Sequence, residues 1–125
     1  MEARELSAAY AEAIASLPAG DESPAGVAGV ALLMTYRDDH DAHAAALDAT
    51  VPAPSSVSPT PAASTSPATV PTTLRDARRA LAGLERLAAQ RRTTDVLAAG
   101  PDLARLLASI AACNVTHAAF LASAA

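Results

Sequence analysis

A proline-rich stretch in the middle of the chain limits what the sequence can fold into. Residues 49–74 contain no charged side chain, and they hold six prolines among many serines and threonines. This composition favours an extended connection and cannot form a core. At roughly 3 Å per residue it could cross the full length of a helical bundle, or it could bulge out beside a short link. We assign residues 49–72 as a flexible connection, so the core must come from the sequence on either side.

Both flanking parts show the apolar spacing of amphipathic helices, with alternating steps of three and four residues. The pattern predicts helices over about 2–17, 24–48, 73–98 and 101–122. Pro24 and Pro101 stand where a helix begins. Thr73 with Asp76 forms a capping-box pattern, and Gly100 is expected to end the third helix.

The apolar stripes predict which face of each helix is buried. On the first helix the stripe is Leu6, Tyr10, Ala13 and Leu17. On the second it is Gly29, Leu33, Tyr36, His40, His43 and Leu47. The third helix has Leu74, Leu81, Leu84 and Ala88, and the fourth has Leu103, Leu106, Ile110, Cys113, His117 and Phe120. Four such stripes predict a single all-α domain, residues 1–125, folded as an antiparallel four-helix bundle.

Composition supports helices and narrows the classes of partner. The chain is 51% hydrophobic but has three aromatic residues, and alanine and leucine dominate, which disfavours a sandwich or barrel. The net charge of −4 predicts no general attraction to nucleic acid or anionic lipid. The apolar run 24–36 is too short to span a bilayer, so we expect no transmembrane segment. Residues 1–20 lack the features of a secretion signal, so none is expected in this chain.

Two stretches carry a resemblance to a known family. They are YRDDHDAHAAAL on the second helix and AAQRRTTDVLAAGPDLARLLASIAACNVTHAAFLA on the third and fourth. The chain resembles the ferritin-like domain of unknown function found in exported lipoproteins of high-GC Gram-positive bacteria. The resemblance implies a ferritin-like fold in which residues 49–74 cross between helix pairs. It also implies a bacterial, extracytoplasmic or envelope setting, although the signal and lipidated cysteine of those lipoproteins are missing from this sequence.

A di-iron centre in such a bundle needs inward glutamates and two Glu-x-x-His motifs. Arg37 and Asn114 stand three residues before His40 and His117, where the motif would have glutamate. The remaining candidates, Glu5, Glu12 and Glu85, are expected at the flanks of their stripes. A di-iron oxidase is therefore the least favoured function, and an enzyme of any kind is disfavoured.

The three histidines His40, His43 and His117 suggest two alternatives. With Cys113 they could bind zinc or copper, because imidazole and thiolate suit these ions. In a ferritin-like crossover, however, the second and fourth helices are antiparallel, and counting from the helix ends places His40 and His117 on the order of 10–15 Å apart. The alternative is a buried polar layer that fixes the helix register. In that layer Asp39 could pair with His43, four residues on.

Two further sets of polar residues are left open. Arg91 and Asp95 are expected near the inward side of the third helix, where they could form a partly buried pair in a polar pocket or on a partner surface. The alternative is that both lie at a solvated helix end near the turn at Gly100. Cys113 is interpreted as a small core residue rather than a nucleophile. Glu85, Asp39 and Cys113 complete the candidate polar network.

These patterns support three hypotheses for function. The first is a non-catalytic ferritin-like bundle that binds a ligand or a protein partner, with a homodimer as one form and no cofactor expected. The second is a protein that binds a transition metal, zinc or copper, through His40, His43 and His117. The third is the di-iron oxidase. The sequence names no ligand, partner or pathway.

Overall fold

The computed structural model describes residues 3–18, 23–50 and 71–124. They form four helices and contain no strand: α1 is Ala3–Ser16, α2 is Pro24–Thr50, α3 is Leu74–Val96 and α4 is Pro101–Ser123. The predicted all-α, four-helix fold class is confirmed, and each helix begins and ends within two residues of its predicted bounds. Residues 51–70, most of the predicted crossover, lie outside the described residues.

Contacts near the helix ends show how α1 runs relative to α2, and how α4 runs relative to α3. Arg4 at the start of α1 forms an ion pair with Asp48 near the end of α2, so these two helices are antiparallel. Arg78 near the start of α3 donates from Nη1 to the Ala124 carbonyl oxygen at 2.7 Å, just past the end of α4. The pair α3 and α4 is therefore antiparallel as well.

The two helix pairs pack together so that α2 and α3 run in the same direction. A Cβ built on Gly29, early in α2, would clash with Leu74 Cδ2 at the start of α3. Further along both helices, His40 contacts Glu85. Since the residue numbers rise together on the two helices, α2 and α3 are parallel, and α2 and α4 are antiparallel.

The apolar core is built from two tyrosines, a few leucines and several alanines. Its buried members are Tyr10, Ala13, Leu33, Tyr36, Ala77, Leu81, Ala82 and Leu121. The alanines of α3 leave little side chain between backbones, which allows the close approach that the composition suggested. Tyr10 and Tyr36 meet edge to face with their ring centroids 6.3 Å apart.

The predicted stripe of α4 is confirmed at Ile110 and His117, which are buried, but it is displaced by one residue at three other positions. Leu107, Asn114 and Leu121 are buried, where the spacing had favoured their neighbours Leu106, Cys113 and Phe120. Phe120 is 59% exposed. The same side of α4 that buries these three residues also buries Ala111 and Ala118, so close helix packing through alanine selects the face in place of the largest side chain.

The ends of α3 and α4 follow the sequence signals in part. Thr73 is the N-cap of α3, and its hydroxyl oxygen accepts a hydrogen bond from the Asp76 backbone N–H at 3.1 Å, as the capping pattern predicted. Gly100 does not end α3, because that helix stops at Val96. Gly100 is instead the N-cap of α4, with φ −67° and ψ 164°. Any residue can adopt this extended conformation, and the prediction that Gly100 ends the third helix was wrong.

α4 is the most apolar helix of the described residues. It is the one helix among them that is long and apolar enough, by length and composition only, to cross a membrane. A helix in the core of a globular bundle passes the same test, and α4 buries Asn114 and His117 against the other helices. The prediction that the chain has no transmembrane segment stays a prediction.

Candidate metal site in the bundle core

The side chain of Glu85 lies at the centre of the bundle. It is 0% exposed, whereas the sequence had placed it at the flank of its stripe. Leu81, Glu85, Ala88 and Arg92 are all buried on α3, at spacings of four, three and four. Glu85 therefore occupies a central position on the buried face, and the expectation that the bundle has no inward carboxylate was wrong.

Three side chains from the other three helices converge on one oxygen of Glu85. Tyr10 of α1 donates its hydroxyl to Oε1 at 2.6 Å. His40 Nε2 of α2 lies 2.7 Å from the same oxygen, and His117 Nδ1 of α4 lies 3.2 Å from it. Because a carboxylate can only accept, both imidazoles donate an N–H to it.

These contacts set the charge state of the group. Burial raises the pKa of Glu85, but the hydrogen bonds from His117, His40 and Tyr10 outweigh it and hold this pKa at about 2. Burial and the charge of Glu85 raise the pKa of Tyr10, so the tyrosine keeps its proton and donates. The core therefore contains a carboxylate that is ionised at neutral pH.

Several buried polar atoms have no hydrogen-bond partner among the described residues. They include Glu85 Oε2, His40 Nδ1 and both amide atoms of Asn114. Each such group, once removed from water, costs about 1–3 kcal/mol if nothing replaces its hydrogen bonds. Glu85 and His40, which contact each other directly, each keep one such atom, and this indicates a site that takes up a further polar group or ion.

His117 is shared between this interior group and a more exposed one. Its Nε2 lies 3.3 Å from Cys113 Sγ and 3.3 Å from Asp39 Oδ2. The Asp39 side chain is 45% exposed. The ring of His117 also stacks on Tyr36, with centroids 3.8 Å apart and planes 17° apart. Stacking and hydrogen bonds together fix the orientation of both ring nitrogens.

Two sets of atoms have the spacing of a metal-ligand group. His40, Glu85 and His117 form a fully buried set, and Asp39, Cys113 and His117 form a partly exposed set. Within each set the ligand atoms lie within 4.8 Å of one another. Ligands about 2.1 Å from a zinc ion lie roughly 3.4 Å apart in a tetrahedral arrangement. Small side-chain shifts would therefore place an ion among the atoms of either set.

The expected separation of His40 from His117 was wrong. Their ring centroids lie 5.5 Å apart, although α2 and α4 are antiparallel as expected. The estimate assumed that the helix ends are level. In the structure sixteen residues separate Pro24 from His40, but only six separate His117 from Ser123. The start of α2 therefore extends past the end of α4 by about 15 Å, and this offset brings the two histidines together.

The remaining candidate residues lie outside the two sets. His43 is half-buried and stands edge-on to His40, with ring centroids 5.7 Å apart. Burial and the neighbouring His40 lower its pKa. Arg91 and Asp95 are both exposed, so their expected inward position was wrong. Arg92 is buried in their place, at 6% exposure, because it falls seven residues after Glu85 on the same face.

A di-iron arrangement is not present among the described residues. Glu85 is the one carboxylate side chain that is fully buried there, and Tyr10 faces it from α1 where a second acid would be needed. Asn114 is buried and Arg37 forms an ion pair with Asp38 at 2.7 Å. A single carboxylate with two imidazoles suits one ion.

No family model, curated protein or solved structure matches the chain. Function must therefore be inferred from the site itself.

Proposed function

We propose that this protein binds one transition-metal ion in the core of its bundle, through His40, Glu85 and His117. The observation that carries the proposal is the unpartnered Glu85 Oε2, in a carboxylate whose other oxygen already accepts three hydrogen bonds. This is the second of the sequence hypotheses with one change of ligand, Glu85 in place of His43.

Charge favours a cation at this position. An ionised carboxylate with no solvent exposure is costly unless an opposite charge compensates it. A divalent ion supplies that charge, and two neutral imidazoles can hold it without a buried imidazolium. When the ion binds, His40 Nε2 and His117 Nδ1 give up their protons to the other ring nitrogen, since only a nitrogen lone pair can bind metal.

The ligand types favour zinc, with copper(II) and iron(II) as competitors. Two histidines and one glutamate form a recurring zinc set, with a fourth position left for water or another oxygen. The hydroxyl oxygen of Tyr10, 2.6 Å from Glu85 Oε1, is the nearest candidate for that position. We propose metal binding, and di-iron chemistry is not part of the proposal, because the described site lacks the second carboxylate that it needs.

A ferritin-like origin of the bundle is part of the proposal. The parallel course of α2 and α3 supports it, as does a polar centre with one contributing side chain per helix. The extracytoplasmic setting implied by the resemblance stays a proposal as well.

The competing role for the same residues is structural. Tyr10, His40 and His117 tie α1, α2 and α4 to Glu85 on α3, and such a network fixes helix register without any ion. The unpartnered atoms of Glu85, His40 and Asn114 favour the metal, because a network that served packing alone would leave fewer of them.

Metal uptake by protein purified without a histidine tag tests the proposal. The metal-free protein is titrated with zinc, copper(II) and iron(II) under anaerobic conditions, against a chromogenic chelator as competitor. We expect one ion per chain, and at least about a 100-fold loss of affinity in Glu85→Gln and in His40→Ala, because each removes a ligand. His43→Ala is the matched control and keeps the affinity.

The result that would overturn the proposal is wild-type affinity no higher than that of the ligand variants for all three ions. Circular dichroism of each variant establishes that it is folded. If a folded Glu85→Gln protein has lost stability while the wild type binds no ion, the structural role is the correct one.

A further inference from the structure

The geometry points to a second, outer metal-ligand set, formed by Asp39, Cys113 and His117, which takes up the ion first and passes it to the buried site. This inference rests on the proposed function and adds to it the route by which the ion arrives. It also adds a ligand of a different class, a thiolate, that the buried set lacks.

Exposure decreases stepwise along the two sets. The Asp39 side chain is 45% exposed, His117 is 4% exposed, and His40 and Glu85 are 0% exposed. Cys113 is intermediate. An ion from solvent therefore meets Asp39 and Cys113 before it can reach Glu85, and His117 is the one residue that belongs to both sets.

The chemistry of imidazole makes the two sets alternatives. A neutral ring has one nitrogen with a lone pair, and the other carries the proton. His117 can bind an outer ion through Nε2, or a buried ion through Nδ1, but one neutral ring cannot do both. Transfer inward therefore requires that the proton move from Nδ1 to Nε2.

In each of these states a carboxylate lies close to the ring nitrogen that carries the proton. With the ion in the outer set, Nδ1–H donates to Glu85 Oε1 at 3.2 Å. With the ion in the buried set, Nε2–H faces Asp39 Oδ2 at 3.3 Å. A carboxylate that accepts the free N–H of a metal-bound histidine is the common supporting contact at zinc sites. Glu85 and Asp39 exchange the roles of ligand and support between the two states.

The outer set favours zinc and similar ions of intermediate softness. Thiolate, imidazole and carboxylate together bind zinc and cobalt(II) well, whereas magnesium and calcium prefer oxygen ligands alone. When the ion binds, the Cys113 thiol releases its proton to solvent and sulfur donates its electron pair to the metal. No oxidation or reduction takes place.

Cobalt(II) is the probe that separates the two sets, because only the outer set contains sulfur. Metal-free wild-type protein is mixed rapidly with cobalt(II) and absorption is followed over time. We expect a sulfur-to-cobalt charge-transfer band in the near ultraviolet that rises first. It then fades as the visible bands of a nitrogen–oxygen site grow.

Two variants separate binding at the outer set from transfer to the buried set. Cys113→Ser should lose the sulfur band at all times while the same final amount of cobalt is bound. Glu85→Gln, which disables the buried set, should keep the sulfur band indefinitely, because the ion has nowhere further to go. Ala112→Ser, on the exposed neighbouring position, is the control for a hydroxyl introduced on α4 and should behave as wild type.

The outcomes distinguish this inference from the proposed function. Cobalt bound with no sulfur band at any time overturns the outer set and leaves the buried site intact. A sulfur band that persists in the wild type as it does in Glu85→Gln overturns the buried site and the transfer, and upholds the outer set. No cobalt uptake in either protein overturns both.

Discussion

At the scale of single residues, the interior is organised by Glu85. A buried carboxylate is stable only where donors replace the water that it has lost, and here Tyr10, His40 and His117 supply them from three different helices. The three donors share one oxygen, which leaves Oε2 open. Substitutions at this group therefore have effects that differ in size and can be predicted separately.

Tyr10→Phe should lower the free energy of unfolding of the metal-free protein by about 1.5–3 kcal/mol, the usual contribution of a hydrogen bond to a charged group. The ring and its packing remain, so the loss reports the hydroxyl alone. Urea denaturation in the presence of a chelator measures it. Tyr36→Phe is the control, since the structure gives the Tyr36 hydroxyl no hydrogen bond among the described residues, and its loss should be smaller. Equal losses would contradict the importance of the Glu85 contact.

Acid should destabilise the metal-free protein through Glu85. Its pKa of about 2 in the folded state lies below the ordinary value of 4.5. The folded state therefore binds this proton less readily than the unfolded chain. The resulting stability is fully present above about pH 4.5 and is lost as pH falls towards 2, with a magnitude of about 3 kcal/mol.

The measurement for this prediction is the difference in unfolding free energy between wild type and Glu85→Gln across that range of pH. Other acids titrate in both proteins and cancel in the difference. The gap should narrow as pH falls from 4.5 towards 2. A gap of constant size would show that Glu85 has an ordinary pKa.

At the scale of helices, most of the boundaries follow local chemistry. Thr73 caps α3 and Pro101 opens α4, as their sequence context indicates. The face of a helix that is buried depends less on nearby residues in the sequence and more on how the helix packs against its neighbours. On α3 the predicted Leu81 and Ala88 are buried, and Glu85 and Arg92 share their face. On α4 three buried positions lie one residue away from the predicted stripe, because Ala111 and Ala118 allow closer packing than leucine or phenylalanine would.

Gly83→Ala should stabilise the protein by about 0.5–1 kcal/mol, because glycine in a helix interior costs that much relative to alanine. An added Cβ meets nothing within 4 Å at this position. Gly29→Ala is the matched comparison. There the Cβ would clash with Leu74 Cδ2 and come 2.7 Å from Arg78 Nη2, so neighbouring side chains must shift and the gain should be smaller or reversed. Thermal denaturation of the two variants tests this, and a larger gain for Gly29→Ala would be the contrary result.

At the scale of the whole molecule, the bundle has few large side chains with which to fill its core. Tyr10 and Leu33 on α1 and α2 face Leu81 and Leu121 on α3 and α4, and much of the remaining interior is alanine. Each large residue therefore fills space that no neighbour can easily occupy. Removing one should leave a cavity.

Leu33→Ala should lower the free energy of unfolding by about 2–5 kcal/mol, through lost burial and the cavity left behind. Leu33 is 0% exposed. Leu97→Ala makes the same chemical change at a residue that is 86% exposed, and it should alter stability by less than about 0.5 kcal/mol. Urea denaturation of both variants is the test, and similar losses would contradict the described core.

The sequence by itself determined the helices and their order, because the apolar spacing, the prolines and the Thr73 cap act within a few residues along the chain. It also determined that Tyr36 and His40 face inward on α2, where they continue the spacing of Gly29 and Leu33 and all four residues are buried. Only the tertiary structure decided that Glu85 is central and Phe120 exposed, because those outcomes depend on how closely α3 and α4 pack through alanine. The meeting of His40 with His117 likewise depends on the offset between α2 and α4. An offset between helices is a property of their packing, and residue spacing within either helix does not contain it.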